Sequence, residues 1–253
     1  MNVLGVGVSA ISMADAVARI SHWIATRERN YVCVTGVHGV MESQRDPALR
    51  RIHNAAGMVT PDGMPLVWLG RRAGHGTMER VYGPDLLLAS CAASETEHRR
   101  HYFVGSTPDV ISRLVGVLSA RFPALKVCGT NAPPFRPLTA AEDDALVATI
   151  NKASPDIVWV GLGTPKQERW MADHLGRINA PVMIGVGAAF DFVSGTKRQA
   201  PRWMQRSGLE WLFRMLSEPR RLGRRYLVNN PAFVWQVLLQ TLGLRRIELD
   251  GAS

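Results

Sequence analysis

Residues 156–163 read Asp156-Ile157-Val158-Trp159-Val160-Gly161-Leu162-Gly163. An apolar run of this length, bounded by turn signals, is a strand buried on both faces, and the glycines that close it turn the chain. Thr164-Pro165-Lys166-Gln167-Glu168 follows and opens a helix. With Thr164 as cap and Gln167 at the third helical position, it fits a capping box. The same turn has a second use. A glycine turn ahead of a helix N-terminus offers unbonded N–H groups to an anion, and Lys166 adds charge. Gly163 and Gln167 are therefore candidates for binding a phosphorylated ligand.

The strand-then-helix pattern extends outward from this stretch. Upstream, residues 3–8, 31–35, 101–105 and 125–129 read as strands, and 12–27, 108–121 and 139–152 as helices. The last of these helices opens on a capping box, Thr139-Ala140-Ala141-Glu142. Downstream, residues 182–186 form the last strand. It ends in Gly185-Val186-Gly187-Ala188-Ala189-Phe190-Asp191, where Asp191 suits a sugar or base hydroxyl, or a helix cap. Alternating strands and helices at this spacing predict an α/β fold: a largely parallel sheet with helices on both faces.

In such sheets ligands bind outside the carboxyl ends of the strands. Two more strand ends carry polar groups. Thr35-Gly36-Val37-His38-Gly39 closes the 31–35 strand. Met58-Val59-Thr60-Pro61-Asp62-Gly63-Met64-Pro65 places a carboxylate at a Pro-Asp-Gly turn just ahead of an apolar helical run. Asp62 is either a turn residue or a base held at the sheet edge. Arg80 precedes a helix that Pro84 and Asp85 open, so it is a surface charge or a phosphate ligand. His38 is a base, a ligand or a structural histidine.

The 253 residues carry a net charge of +9. Residues 196–253 hold eleven Lys and Arg against four Asp and Glu, hence +7 of that +9. This tail shows no strand signal. It reads as two or three helices rich in Arg, Trp and Leu, with Arg214, Arg221, Arg224 and Arg225 at helical spacings. A basic tail on a near-neutral body suits an anionic partner. Pro231-Ala232-Phe233-Val234-Trp235-Gln236-Val237-Leu238-Leu239 is too short to span a bilayer but apolar enough to lie in its interface. The expected organisation is a catalytic α/β domain over 1–195 and a basic helical appendage over 196–253. The body needs no strand from the tail, so truncation near Gly195 should leave it folded.

Other classes are disfavoured. Cys33, Cys91 and Cys128 are isolated, which supports neither a zinc site nor a disulfide framework and suits a reducing compartment. The N-terminus lacks the basic region of a signal peptide, and no run of about 18 apolar residues predicts a membrane span. Neither GxxxxGK[ST] nor GxGxxG is present. Glu142-Asp143-Asp144 lies in the first turn of a helix, where acids favour the dipole, so it is not read as a metal site. Two readings stay open on these residues: a nucleic-acid-binding protein with a basic tail, and a nucleotide-cofactor oxidoreductase.

The ordered set of Pro61-Asp62-Gly63, Arg80-Val81-Tyr82-Gly83-Pro84-Asp85, Val160 through Glu168, Gly185-Val186-Gly187 with Phe190-Asp191, Arg198 with Ala200-Pro201, and Gly208-Leu209-Glu210-Trp211 with Phe213-Arg214 and Glu218-Pro219 resembles the WecG/TagA/CpsF glycosyltransferases, glycosyltransferase family 26. The resemblance covers nearly the whole chain. It implies an inverting sugar transfer; on a Rossmann-like sheet with no plausible metal-ligand set, that transfer is expected to need neither a metal nor a cofactor. The donor would be a UDP-sugar of N-acetylmannosamine, glucose or uronic acid type. The acceptor would be a polyprenyl-diphosphate-linked saccharide in bacterial cell-surface polysaccharide biosynthesis. By the same resemblance transfer takes place at the cytoplasmic face of the cell membrane, and the basic, interface-seeking tail predicts a peripheral protein on that anionic surface. No nucleic-acid partner is expected, and a homo-oligomer is compatible with the sequence. Asp62 matches the proposed base; Thr35, Arg80, Gln167 and Asp191 match positions around the donor; Arg214, Arg221 and Arg224 match tail arginines that close over the site. One departure concerns the donor sugar: where the family often has Thr-x-Asn, Thr35 is followed by Gly36 and Val37, with His38 next.

Overall fold

A computed structural model describes residues 1–249. In chain order the elements are β1 (Asn2–Val3), β2 (Val6–Gly7), α1 (Met13–Thr26), β3 (Asn30–Thr35), α2 (Val37–Arg45), α3 (Pro47–Asn54), β4 (Met58–Pro61), α4 (Met64–Arg72), α5 (Gly83–Glu97) and β5 (Arg100–Gly105). There follow α6 (Pro108–Arg121), β6 (Lys126–Asn131), α7 (Ala140–Ala153), β7 (Ile157–Gly161), α8 (Lys166–His174), β8 (Val182–Gly185), α9 (Ala189–Val193), α10 (Arg202–Arg206), α11 (Glu210–Ser217) and α12 (Pro219–Thr241). The main sheet has six strands in the order β4-β3-β8-β7-β5-β6. The fold is the α/β class that the alternation predicts.

By internal contacts the described chain divides into two compact units. One comprises residues 13–34 and 83–198. It contains four parallel pairings, β3–β8, β8–β7, β7–β5 and β5–β6. Ile157, Val158, Trp159 and Val160 are all fully buried, so β7 is covered on both faces, as its unbroken apolar run requires. The indole N–H of Trp159 is matched by His101 Nδ1 at 2.9 Å, and His101 Nε2 meets Ser94 Oγ at 2.8 Å. Helices α1, α5, α6 and α9 pack on one another, and α7 and α8 contact β6, β7 and β8. Register brings Gly161 level with Gly105, and Val160 level with Gly185, so β5, β7 and β8 end together.

The other unit comprises residues 1–12 and 35–82 and the described residues from 199 onward. The tail is thus grouped with the β3–α2 turn and with β4. Its long helix α12 packs on α2 and α11, burying Leu222, Asn229 and Phe233. Residues 3–8 form a hairpin rather than one strand: β1 pairs antiparallel with β2, and Leu4 and Gly5 turn the chain with φ of 51° and 81°. The tail arginines also lie on two helices. Arg214 belongs to α11, and the helix is interrupted at Glu218, whose non-helical backbone (φ −134°, ψ 61°) precedes Pro219 at the start of α12.

Candidate functional site

Asp62 sits where β4 ends and α4 has not begun. Its N–H donates to Thr35 O at 3.0 Å, which ties the turn to the end of β3. Gly36 lies beside this carboxylate: a Cβ there would stand 3.6 Å from Asp62 Oδ2, an ordinary contact distance. Residues 79–81 run back along the same turn: Val81 N–H donates to Pro61 O at 3.0 Å. That extended segment puts Arg80 and Tyr82 on one side, and the guanidinium stacks 3.9 Å from the Tyr82 ring centroid.

Arg80 donates from Nε to the Asp62 carbonyl and from a terminal nitrogen to Glu210 at the start of α11. Tyr82 donates its hydroxyl to the other Glu210 oxygen at 3.2 Å. Burial works against the Arg80 cation, but Asp62 and Glu210 outweigh it and hold its pKa above the ordinary value. Burial, then the charges of Glu210 and Asp62, push the Tyr82 phenol well up. This is a compact cluster of two carboxylates around one arginine.

His38 lies one helical position beyond the Thr35-Gly36 turn, on α2. Burial and the charges of Arg225, Arg45 and Arg214 lower its pKa from 6.5 to about 3. It is therefore neutral near pH 7 and forms no ion pair with Glu42, 3.7 Å away. Its Nδ1 faces the Asn229 amide at 3.4 Å. Arg45 holds Asn229 Oδ1 at 2.6 Å and Glu42 at 2.8 Å. Beside these residues a cavity of about 490 Å³ is lined by Glu42, Arg45, Arg221, Arg224, Arg225 and Asn229. Arg221 is also paired with Glu218. Four arginines against a single carboxylate in the lining make the cavity suited to an anion.

In the unit of residues 13–34 and 83–198, the turn after β7 differs from a capping box. Pro165 occupies the cap position of α8 without a side-chain cap. Thr164 donates its hydroxyl to Glu168 at 2.8 Å. Gln167 is 2% exposed; its Oε1 accepts from Gly163 N–H at 3.2 Å and its Nε2 donates to Glu168 Oε1 at 3.1 Å. Gly163 has a φ of 77°, open to glycine at no cost. Gly187 crosses nearby, its missing Cβ 3.5 Å from Gln167 Oε1. Asp191 lies within α9, one turn past β8, rather than at the strand end, and its carbonyl accepts from Ser194, Thr196 and Lys197.

The unit that holds the tail thus gathers Thr35, His38, Asp62, Arg80 and Arg214 near one strand end, with Arg221 and Arg224 at the cavity. The unit of residues 13–34 and 83–198 gathers Gly163 and Gln167, with Asp191 past the end of the neighbouring strand. Sequence reasoning missed Tyr82, Glu210, Arg45 and Asn229. Tyr82 was legible, because i and i+2 share a side of an extended segment. Arg45 and Asn229 were not, because they meet across 184 positions of chain. Among the described residues no three His, Cys, Asp or Glu side chains form a metal-holding group. Asp143 of the acidic run instead bonds His174 and Arg177 at 3.0 and 2.7 Å.

The glycosyl transferase WecG/TagA/CpsF family model matches residues 1–247. Similar curated proteins are the N-acetylglucosaminyldiphosphoundecaprenol N-acetyl-beta-D-mannosaminyltransferases of Staphylococcus aureus strains MW2, NCTC 8325 / PS 47 and COL. Each is 25% identical over 239 residues, covering 94% of this chain and 91% of the relative. The family match takes in each strand end described above and the tail helices with them, and the chain belongs to the WecG/TagA/CpsF family of glycosyl transferases.

Proposed function

We propose that this glycosyltransferase moves an N-acetylmannosamine-type sugar from its UDP donor to a saccharide carried on a polyprenyl diphosphate, with inversion. The names of the Staphylococcus aureus relatives motivate the sugar and the acceptor class. The observation that supports this mechanism is Asp62 at the end of β4: its backbone is anchored at both N–H and carbonyl, and its carboxylate lies beside Gly36 at the end of β3. Asp62 takes the proton from the acceptor hydroxyl as that oxygen attacks the anomeric carbon, and UDP leaves with the bonding electrons. In this reading the turn of Gly163 and Gln167 receives the nucleotide, and Asp191 binds a hydroxyl of the donor. Arg214, Arg221 and Arg224 offset the developing diphosphate charge without a metal ion.

We further propose that the tail docks on an anionic membrane. Leu227, Val228, Val234, Trp235, Leu238 and Leu242 are exposed, and at 100° per residue they fall within an arc of about 120° on α12 and its cap. Buried Leu222, Asn229 and Phe233 occupy the opposite side. Among the described residues no helix is long and apolar enough to cross a membrane, and a one-sided stripe of this kind suits the interface.

The direct test is Asp62→Asn, assayed with UDP-N-acetylmannosamine and a short-chain polyprenyl-diphosphate N-acetylglucosamine. Turnover should fall by about 10²–10⁴-fold, the usual worth of a general base, with UDP binding kept. Near-normal turnover would remove Asp62 from the role. A dependence on added Mg²⁺ after chelation would overturn the metal-independent part.

A further inference from the structure

Arg80 is held on several sides by its own chain. Its Nε bonds the Asp62 carbonyl, a terminal nitrogen bonds Glu210, and the other lies 3.5 Å from Gln205 Oε1. The Tyr82 ring supports its face, and the Tyr82 hydroxyl bonds the second oxygen of Glu210. The Arg80 and Glu210 side chains are each only 14% exposed, so solvent screens this pair weakly. The local chain puts Glu210 there. Gly208, at a φ of 71°, turns against Trp68 so closely that a Cβ would come 2.5 Å from the ring. Helix α11 then begins at Glu210, where the dipole favours a carboxylate.

We propose that Glu210 is a positioning residue for sugar transfer: it fixes the Arg80 guanidinium, which fixes the Asp62 carbonyl and so the aim of the Asp62 carboxylate. The proposal rests on Asp62 being the base. It gives the tail a part in the chemistry that is separate from any membrane contact. It also means that the Arg80 charge is matched within the protein, so the leaving diphosphate falls to the other arginines.

Glu210→Gln keeps the size and one acceptor but removes the charge. With saturating donor and a soluble short-chain acceptor, kcat should fall on the order of 10- to 100-fold, as a misaligned base requires, while the donor KM moves less than about threefold. Arg80→Gln should fall comparably. The double variant should fall no further than the worse single one, because both cut the same chain of contacts. The Arg80 Nε–H, bonded to the Asp62 carbonyl, should exchange slowly in the intact protein, and its resonance should shift or broaden in Glu210→Gln. If that variant does not fold, Tyr82→Phe replaces it. Removing only the hydroxyl bond to Glu210 should lower kcat by roughly threefold or more, without adding to Arg80→Gln. A kcat within about twofold of the parent in the folded variant, or multiplying effects in the double variant, would overturn the proposal. Asp62→Asn assayed alongside separates the two ideas. If it is inactive while Glu210→Gln is normal, only the positioning role fails; if it is active, both fail.

Discussion

Gln167 turns its side-chain oxygen back onto the Gly163 N–H, 3.2 Å away, and so closes the turn that leaves β7. Gln167→Ala strips a partner from Gly163 and from Glu168, at about 1–3 kcal/mol by ordinary hydrogen-bond costs. Melting should drop by several degrees. If the turn receives the nucleotide, the stabilisation that UDP confers should vanish as well. Thermal shift with and without UDP reads both effects, and an unchanged UDP shift would leave Gln167 a purely structural clip.

His38 and His101 both have pKa values lowered to about 3, in each case chiefly by burial. The unfolded chain takes up these protons near pH 6.5, whereas the folded protein resists until about pH 3. Their contribution is therefore complete above pH 6.5 and is lost as pH falls toward 3. Denaturant titrations at pH 7, 6 and 5 should show stability falling toward about 1.4 kcal/mol per pH unit for each histidine. His38→Gln should remove one of the two protons from that slope. An identical slope in the variant would show that His38 titrates normally in the folded protein.

The sheet was legible because β7 carries its burial in its letters: four consecutive apolar residues and a glycine turn require cover on both faces. The Thr139–Glu142 capping box was legible for the same local reason, and both of its bonds form. Thr164 and Gln167 had the same spacing, yet they bond Glu168 and Gly163 instead. Pro165 at the cap position has no N–H, and buried Glu168 competes for the Thr164 hydroxyl. Asp62 and Arg80 were each visible as strand-end or helix-start residues, but their junction was not. Glu210 completes it from 130 positions beyond Arg80, and no local pattern encodes such a distance.

The tail supplies side chains, not strands, to the unit that holds Asp62. Phe233 on α12 is 4% exposed and Leu222 1%. Phe233→Ala should cost about 3–5 kcal/mol, the usual range for a buried phenylalanine. Hydrogen exchange should show the loss first in residues 35–82, and less in β5 and β7 of the other unit. Truncation after residue 198 should act in the same direction and more strongly. Unchanged protection of residues 35–82 in the truncated chain would mean that the body is self-sufficient, as expected from its strands alone.

Membrane docking through α12 makes a demand that a merely basic tail would not. Fully burying a large apolar side chain is worth about 1.5–3 kcal/mol, and each basic residue near an anionic surface adds about 1 kcal/mol. Trp235 and Leu238, at 60% and 46% exposure, stand on the stripe opposite buried Phe233, so changing them leaves the packed side of α12 intact. Trp235→Glu with Leu238→Glu should weaken binding to vesicles of phosphatidylglycerol and phosphatidylcholine by at least about tenfold, even if the side chains insert only partly. High salt should weaken the parent protein too, but less completely, because salt screens the arginines and not the apolar stripe. Transfer to a soluble short-chain acceptor should persist in the double variant, while transfer to a full-length acceptor in vesicles falls with the binding. If vesicle binding is lost in salt yet unaffected by the two substitutions, the attraction is electrostatic alone and the stripe has another partner. Loss of transfer to the soluble acceptor without loss of fold would instead assign Trp235 and Leu238 to the reaction rather than to the membrane.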